Sequence, residues 1–318
     1  MKPLLSIVVP VYNRASLVVR TLDSMAASEY RPLEILLVDD GSFDDSLAVC
    51  RQWAEAHREE GLSIEVLNEP HRGGNAARNV GLKHCRGDYV FFFDSDDLFC
   101  GDALDDVAAA VSSEDADMLF LPVVQEKDGH AQVRAYQPKA SLSLHILNSM
   151  FSTESMVFRR AWLMELGGWN EQVTVWQDWE LGARVLIHHP RIQWLCERTY
   201  HRVLLHPQSV TGHNFSQTLD GTLATMRMVA EEVKQASSLS ETVRHKSLLA
   251  MYYRAMLMAA KLCKEGHKAG DEAYRELAKQ ILPMVSCSHR GMARFLGAYT
   301  AWGGRGAWRM AAALVGAV

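Results

Sequence analysis

One stretch limits the fold more than any other. An apolar run, Tyr89 to Phe93, breaks off into Asp94-Ser95-Asp96-Asp97. The run is short, aromatic-rich and preceded by the turn Arg86-Gly87-Asp88, so it reads as a strand buried on both faces. Three carboxylates within four residues at the tip of such a strand repel one another unless a cation lies among them. Oxygen ligands with little else nearby suit Mg²⁺ or Mn²⁺, completed by the phosphates of a nucleotide. A solvated acidic turn that caps the next helix through Asp97 or Asp102 is the plainer reading of the same residues.

The neighbouring segments decide between the two. Leu4 to Val9 reads as a strand stopped by Pro10, followed by a helix from about Ala15 to Ser28. A second strand, Leu33 to Val38, ends at Asp39-Asp40-Gly41-Ser42 and leads to a helix from about Asp44 to Arg58. Leu62 to Leu67 alternates as a third strand, and Arg72-Gly73-Gly74 opens a helix from Asn75 to about His84. Strands alternating with helices predict βαβ units and a mostly parallel sheet, in which ligands bind beyond the carboxyl ends of the strands. Two strands here end in acid pairs, Asp39-Asp40 and Asp96-Asp97.

Beyond Asp102 the pattern is mixed. Met118 to Val124 and Ala131 to Tyr136 read as strands around the turn Lys127-Asp128-Gly129-His130, and Glu154 to Phe158 as another. Trp176 to His188 reads as a helix, Gln193 to Cys196 as a last strand, and Tyr200 to Asn214 as a His-rich loop. From about Thr218 the chain is helical. The expected division is 1–215, with a nucleotide-binding half to residue 100 and an acceptor half from 101, followed by a helical region 216–318. In the tail, Met292, Phe295, Leu296, Tyr299, Trp302 and Trp308 alternate with Arg290, Arg294, Arg305 and Arg309. Such a helix suits a membrane surface, and equally the other C-terminal helices or a second subunit; Gly303-Gly304 and Gly306 interrupt it. No apolar run reaches membrane-spanning length. A net charge of −5 argues against nucleic acid held by bulk electrostatics. Six scattered cysteines without a C-x-x-C pair fit a reduced, cytoplasmic protein.

Joined in order, these motifs resemble the family-2 inverting glycosyltransferases of the GT-A fold. The matching residues are Val9-Pro10-Val11-Tyr12-Asn13, Val38 to Ser42, Gly73 to Gly81, Asp94-Ser95-Asp96-Asp97, and Gly167-Gly168-Trp169-Asn170-Glu171 followed by Gln177-Asp178-Trp179-Glu180. The match covers about residues 4–212. It implies an α/β fold with a mostly parallel central sheet flanked by helices and a C-terminal helical extension.

The resemblance also implies roles. Pro10, Tyr12 and Asn13 would line the donor pocket, with Tyr12 near the base, and Asp39 would accept a hydrogen bond from a uracil N3–H. Arg72, Gly74 and Arg78 would lie toward the diphosphate; Arg78 alternatively pairs with an acid such as Asp39. Asp94 and Ser95 would contact donor, and Asp96 the metal, which the adjacent Asp97 would be placed to share. His206, or His201, would reach the metal from the loop after the last strand. Asp178 would be the base that takes the acceptor proton, at a pair where Gln177 replaces the more common acid. Trp169, Trp176 and Trp179 would stack on sugars or pack in the core.

The expectation is therefore a transferase using Mn²⁺ or Mg²⁺, moving a sugar from a nucleotide-sugar donor, most plainly a UDP-sugar, to a saccharide or lipid-linked saccharide. Gln177 favours the alternative, a nucleotide-sugar-binding scaffold without turnover. A nucleotidyltransferase or dehydrogenase is disfavoured, because no glycine-rich loop follows Val9. The setting expected is cytoplasmic, with peripheral contact at the inner membrane face through the tail and room for a homo-oligomer.

Overall fold

The structure is a computed structural model describing residues 2–113, 115–138, 141–205, 218–282 and 285–316. The N-terminal part alternates β1 (Leu5–Val11), α1 (Val18–Ala26), β2 (Leu33–Asp39), α2 (Ser46–Ala56), β3 (Leu62–Asn68), α3 (Gly74–His84) and β4 (Tyr89–Phe92). There follow α4 (Asp102–Ser113), β5 (Met118–Phe120), β6 (Val124–Lys127), β7 (His130–Val133) and α5 (Leu142–Asn148). Next come β8 (Met156–Arg159), α6 (Arg160–Glu165), α7 (Gln177–Ile187), β9 (Ile192–Trp194) and β10 (Arg202–Leu204). Helices α8 (Leu219–Gln235), α9 (Glu241–Lys264), α10 (Lys268–Ile281), α11 (Cys287–Ala301) and α12 (Ala307–Val315) close the described chain.

Packing divides the chain into two compact units that interleave along the sequence rather than meeting at residue 215. The first comprises Met1–Pro138, Ser152–Gln172 and Pro190–Thr211. Its main sheet has the order β3-β2-β1-β4-β8-β5-β9, with β8 antiparallel to both neighbours and the other pairs parallel. A second sheet, β10-β6-β7, turns at Asp128-Gly129, both left-handed as a two-residue hairpin requires.

β1 does not stop at Pro10 as its sequence implies; it runs on to Val11, with Pro10 opposite Val38 of β2. In a parallel ladder a residue's N–H and C=O face the same neighbour. The Val8 carbonyl accepts from Phe93 on the β4 side, and the Val11 carbonyl from Asp40 on the β2 side. The missing N–H of Pro10 therefore faces the β4 side, where the β1–β4 ladder has already ended at Val8.

Helices cover both faces of this sheet. Ile7, Val9 and Val11 join Val18 and Leu22 of α1 and Leu104 and Val107 of α4 in one core. On the opposite face α3 lies so close that a Cβ on Gly81 would sit 2.3 Å from Val8 Cγ1. Only hydrogen fits there.

The second unit comprises Lys139–Phe151, Val173–His189 and Gly212–Val318. Its axis is α9, buried almost continuously from Ser247 to Leu262, against which α5, α8, α10, α11 and α12 pack. Leu142, Leu144, Ile146 and Leu147 give α5 its buried face, which draws this short segment into the helical unit. No helix among the described residues is long and apolar enough to cross a membrane.

Candidate active site

In the first unit, the loops at the carboxyl ends of β1, β2 and β4 carry the polar residues. Asp39 closes β2 and is 1% exposed. Its Oδ2 accepts the Ser42 N–H at 3.0 Å, while its Oδ1 is buried without a partner. A buried acceptor without a donor is costly, so this oxygen is a polar atom left unsatisfied by the described chain. Asp40 differs from its neighbour. It accepts the N–H groups of Arg72 and Gly73 at 2.8 and 2.9 Å and contacts His71 Nδ1 at 2.9 Å. It braces the loop ahead of α3 rather than capping α2. Asn13, with φ 52°, ties the β1 and β2 loops together, donating its N–H to Ser42 Oγ and accepting the Phe43 N–H. Tyr12 stacks on His71, ring centroids 4.1 Å apart. His71 carries no motif signal and enters through this stack and its contact with Asp40.

Helix α3 organises the next layer. Gly73 and Gly74 lead into it, and Arg78 on its second turn donates to Asp94 Oδ1 at 2.6 Å and to Asn75 Oδ1 at 3.1 Å. The acid partner of Arg78 is thus Asp94, not Asp39. Asn79 clasps the Gly167–Glu171 turn: it accepts the Trp169 N–H at 2.8 Å and donates to the Trp169 carbonyl and to Glu171. A Cβ at Gly168, φ +69°, would fall 2.5 Å from Asn79 Oδ1. Arg72 Nη1 lies 3.6 Å from Glu171. Trp169 is buried under the Arg78 guanidinium and against Phe92, which makes it a core residue and not a sugar platform.

The acids at the tip of β4 divide. Asp94, Asp97 and Glu154 bring one carboxylate oxygen each within 4.8 Å of one another. Glu154 has no sequence signal. It sits in a 3₁₀ turn, Thr153–Ser155, where a strand is expected. Because β8 is antiparallel, that turn precedes the strand at the edge where β4 ends. Burial pushes the Asp97 carboxyl up strongly, with Glu154 and Asp94 adding repulsion, although the Leu204 N–H donates to it at 2.6 Å. Asp96 stands apart from that cluster, its carboxylate 3.5 Å from Arg14 Nε. Ser95 is buried. His201 is a core residue: fully buried beside Phe91, Phe93 and Phe99, it accepts the Cys100 N–H, and burial holds its pKa near 3. His206 lies outside the described residues.

In the second unit, Asp178 is the second residue of α7, where the helix dipole favours a carboxylate. Its Oδ1 accepts the Trp179 N–H at 2.8 Å. Arg254 of α9 underlies this turn. Its guanidinium lies 4.4 and 4.9 Å from the Trp176 and Trp179 rings and donates to the carbonyls of Ile146 and Leu147 and to Ser149 Oγ. Burial pushes Arg254 down to about 10, while Asp178 pulls the other way. Trp179 is buried and donates to the Ile146 carbonyl, so it too is structural. Nothing in the helical sequence marks Arg254; only packing brings it to the Trp176–Trp179 turn.

A doubly wound sheet with carboxylates at the ends of its strands is a nucleotide-binding α/β frame. The chain belongs to glycosyl transferase family 2, whose model matches residues 6–167, just over half of it. Glycosyltransferase GlyG of Streptococcus pneumoniae serotype 4 is 33% identical over 121 residues, 38% of this chain. The chain spans less than half the length of the curated relatives it matches, 39% in the case of GlyG. Among solved structures, residues 1–349 of S. aureus TarS in complex with UDP-GlcNAc align at TM-score 0.74 and 20% identity, over 98% of this chain and 92% of that one. The mannosyltransferase PcManGT from Pyrobaculum calidifontis, in complex with GDP-Man and Mn²⁺, aligns at TM-score 0.57 and 19% identity, over 99% and 87%. These likenesses establish the GT-A fold.

Proposed function

We propose that this chain transfers a sugar from a UDP-sugar to a hydroxyl of a saccharide or lipid-linked saccharide, by a single inverting displacement that uses a divalent cation. The observation that carries the reading is the Asp94–Asp97–Glu154 cluster at the carboxyl end of β4, in a sheet whose β2 ends in the buried, unpartnered Oδ1 of Asp39. The cluster offers only carboxylate oxygens, and burial together with repulsion from Glu154 and Asp94 pushes Asp97 up, a set that a divalent cation such as Mg²⁺ or Mn²⁺ fits. Asp94, Asp97 and Glu154 would hold the ion, with Asp96, near Arg14, outside that set. When bound, it supplies positive charge against the diphosphate as it leaves.

The chain's own residues do the rest. Asp39 Oδ1 receives the uracil N3–H, and Tyr12, stacked on His71, offers an aromatic face for the base. Arg78 holds Asp94 in place. Asp178, in the first turn of α7, takes the acceptor proton as that oxygen attacks the anomeric carbon. The UDP-GlcNAc bound by TarS and the Mn²⁺ bound by PcManGT are consistent with donor and metal.

The test is a thermal-shift panel of nucleotide sugars with and without Mn²⁺, followed by donor turnover in wild type and Asp178→Asn. The expected result is Mn²⁺-dependent stabilisation by a UDP-sugar in both, with turnover only in wild type. Binding by both with turnover by neither would favour the scaffold reading that Gln177 raises. Equal turnover would remove Asp178 as the base.

A further inference from the structure

After Glu276 the sequence contains no Asp or Glu, yet it carries Lys279, Arg290, Arg294, Arg305 and Arg309, in a chain whose net charge is −5. Charge is therefore segregated, and α11 and α12 form a cationic zone on an acidic protein. Helix α11 packs inward through Ala293, Leu296 and Gly297. Its other side is apolar and exposed: Met292, Phe295, and Trp302 at the helix end, with Phe295 57% and Trp302 89% exposed. Positions 292, 295, 299 and 302 follow helical spacing, and Phe295 stacks on Tyr299, so they form one stripe. Arg294 borders the stripe on the Trp302 side, Arg290 lies one turn before it and farther round the helix, and Arg305 follows in the glycine turn after Trp302. On α12, Arg309, Met310 and Leu314 are exposed.

We propose that α11 and the turn after it dock on an anionic lipid surface, with Phe295 and Trp302 entering the headgroup region and the arginines meeting lipid phosphates. Exposed aromatics beside cations are the chemistry of an interfacial helix, and indole favours that depth. Charge complementarity selects this occupant over the alternatives. A second copy joined through the same face would set arginines against arginines. A soluble polyanion would leave Phe295 and Trp302 in water. The inference is independent of the catalytic assignment.

The test floats the full chain with vesicles of phosphatidylcholine alone, or with roughly a third phosphatidylglycerol, at about 0.1 M and about 1 M salt. The chain is expected to float only with anionic vesicles at the lower salt. Arg290→Glu/Arg294→Glu should lower the bound fraction at least about tenfold, since each charge near such a surface counts for roughly fivefold. Phe295→Ser/Trp302→Ser should also release it, and quenching of tryptophan by brominated lipid should disappear with Trp302→Ser. All four positions are exposed, so the thermal midpoint should not move. No flotation with anionic vesicles, or equal flotation without anionic lipid, would overturn the proposal. Flotation unchanged by Phe295→Ser/Trp302→Ser would also overturn it. Vesicle-free self-association abolished by Trp302→Ser would assign the stripe to a second copy instead.

Discussion

Arg254 offers the sharpest test of the second unit, because conservative chemistry and the packing predict opposite outcomes. Its guanidinium is fully buried, and the net drop in its pKa to about 10, with burial outweighing the pull of Tyr274 and Asp178, disfavours the charged form by roughly 3 kcal/mol. Three hydrogen bonds and two tryptophan faces oppose that cost. Charge-assisted hydrogen bonds contribute about 1.5–3 kcal/mol each, and buried cation–π contacts about 1–2 in total. Arg254→Met removes both the cost and the contacts that oppose it. The Ile146 carbonyl keeps the Trp179 indole as a donor, but the Leu147 carbonyl loses the guanidinium, so the net loss should be about 2 kcal/mol. Arg254→Lys keeps a buried charge but gives up the fork that reaches two carbonyls and a hydroxyl. It should therefore destabilise at least as much as Met. Guanidinium melts followed by tryptophan fluorescence read this directly, since Trp176, Trp179 and Trp308 all lie near the guanidinium. A Lys variant as stable as wild type would refute this reasoning.

Three further outcomes can be checked. The metal-free chain should lose stability as pH rises through about 4, where an unfolded aspartate ionises, toward the raised native value of Asp97; in that window the folded state binds a proton the unfolded state releases. Glu154→Gln should flatten that slope in denaturant melts with chelator, and an unchanged slope would count against the cluster. Gly81→Ala should gain about 1 kcal/mol of helix propensity but lose more to overlap with Val8, a net loss of about 1–2 kcal/mol that Val8→Ala partly restores. A stabilised single variant would show that α3 can move off the sheet. Asp39→Ala should weaken UDP binding by roughly 5–100-fold in calorimetry, the range for one buried hydrogen bond, and equal affinity would detach Asp39 from the base.

Much of the first unit is legible along the chain because its signals are local. Each strand tip announces itself where an apolar run meets Asp39-Asp40 or Asp94-Ser95-Asp96-Asp97, and Gly73-Gly74 marks the start of α3. The spacing of those signals suffices for the alternation of strands and helices and for the family. What it leaves open depends on contacts between residues far apart in sequence. Glu154 joins Asp94 and Asp97 only because β8 inserts antiparallel beside β4, and no pattern near residue 154 encodes that direction. Arg78 chooses Asp94 over Asp39, and His201 becomes a neutral core residue, for the same reason. Residues 139–151 and 173–189 join the C-terminal helices because the best cover for their apolar faces lies around α9. Hydrophobic burial has no direction along the chain, so local periodicity can say that a face will be covered, while three-dimensional packing alone selects the element that covers it.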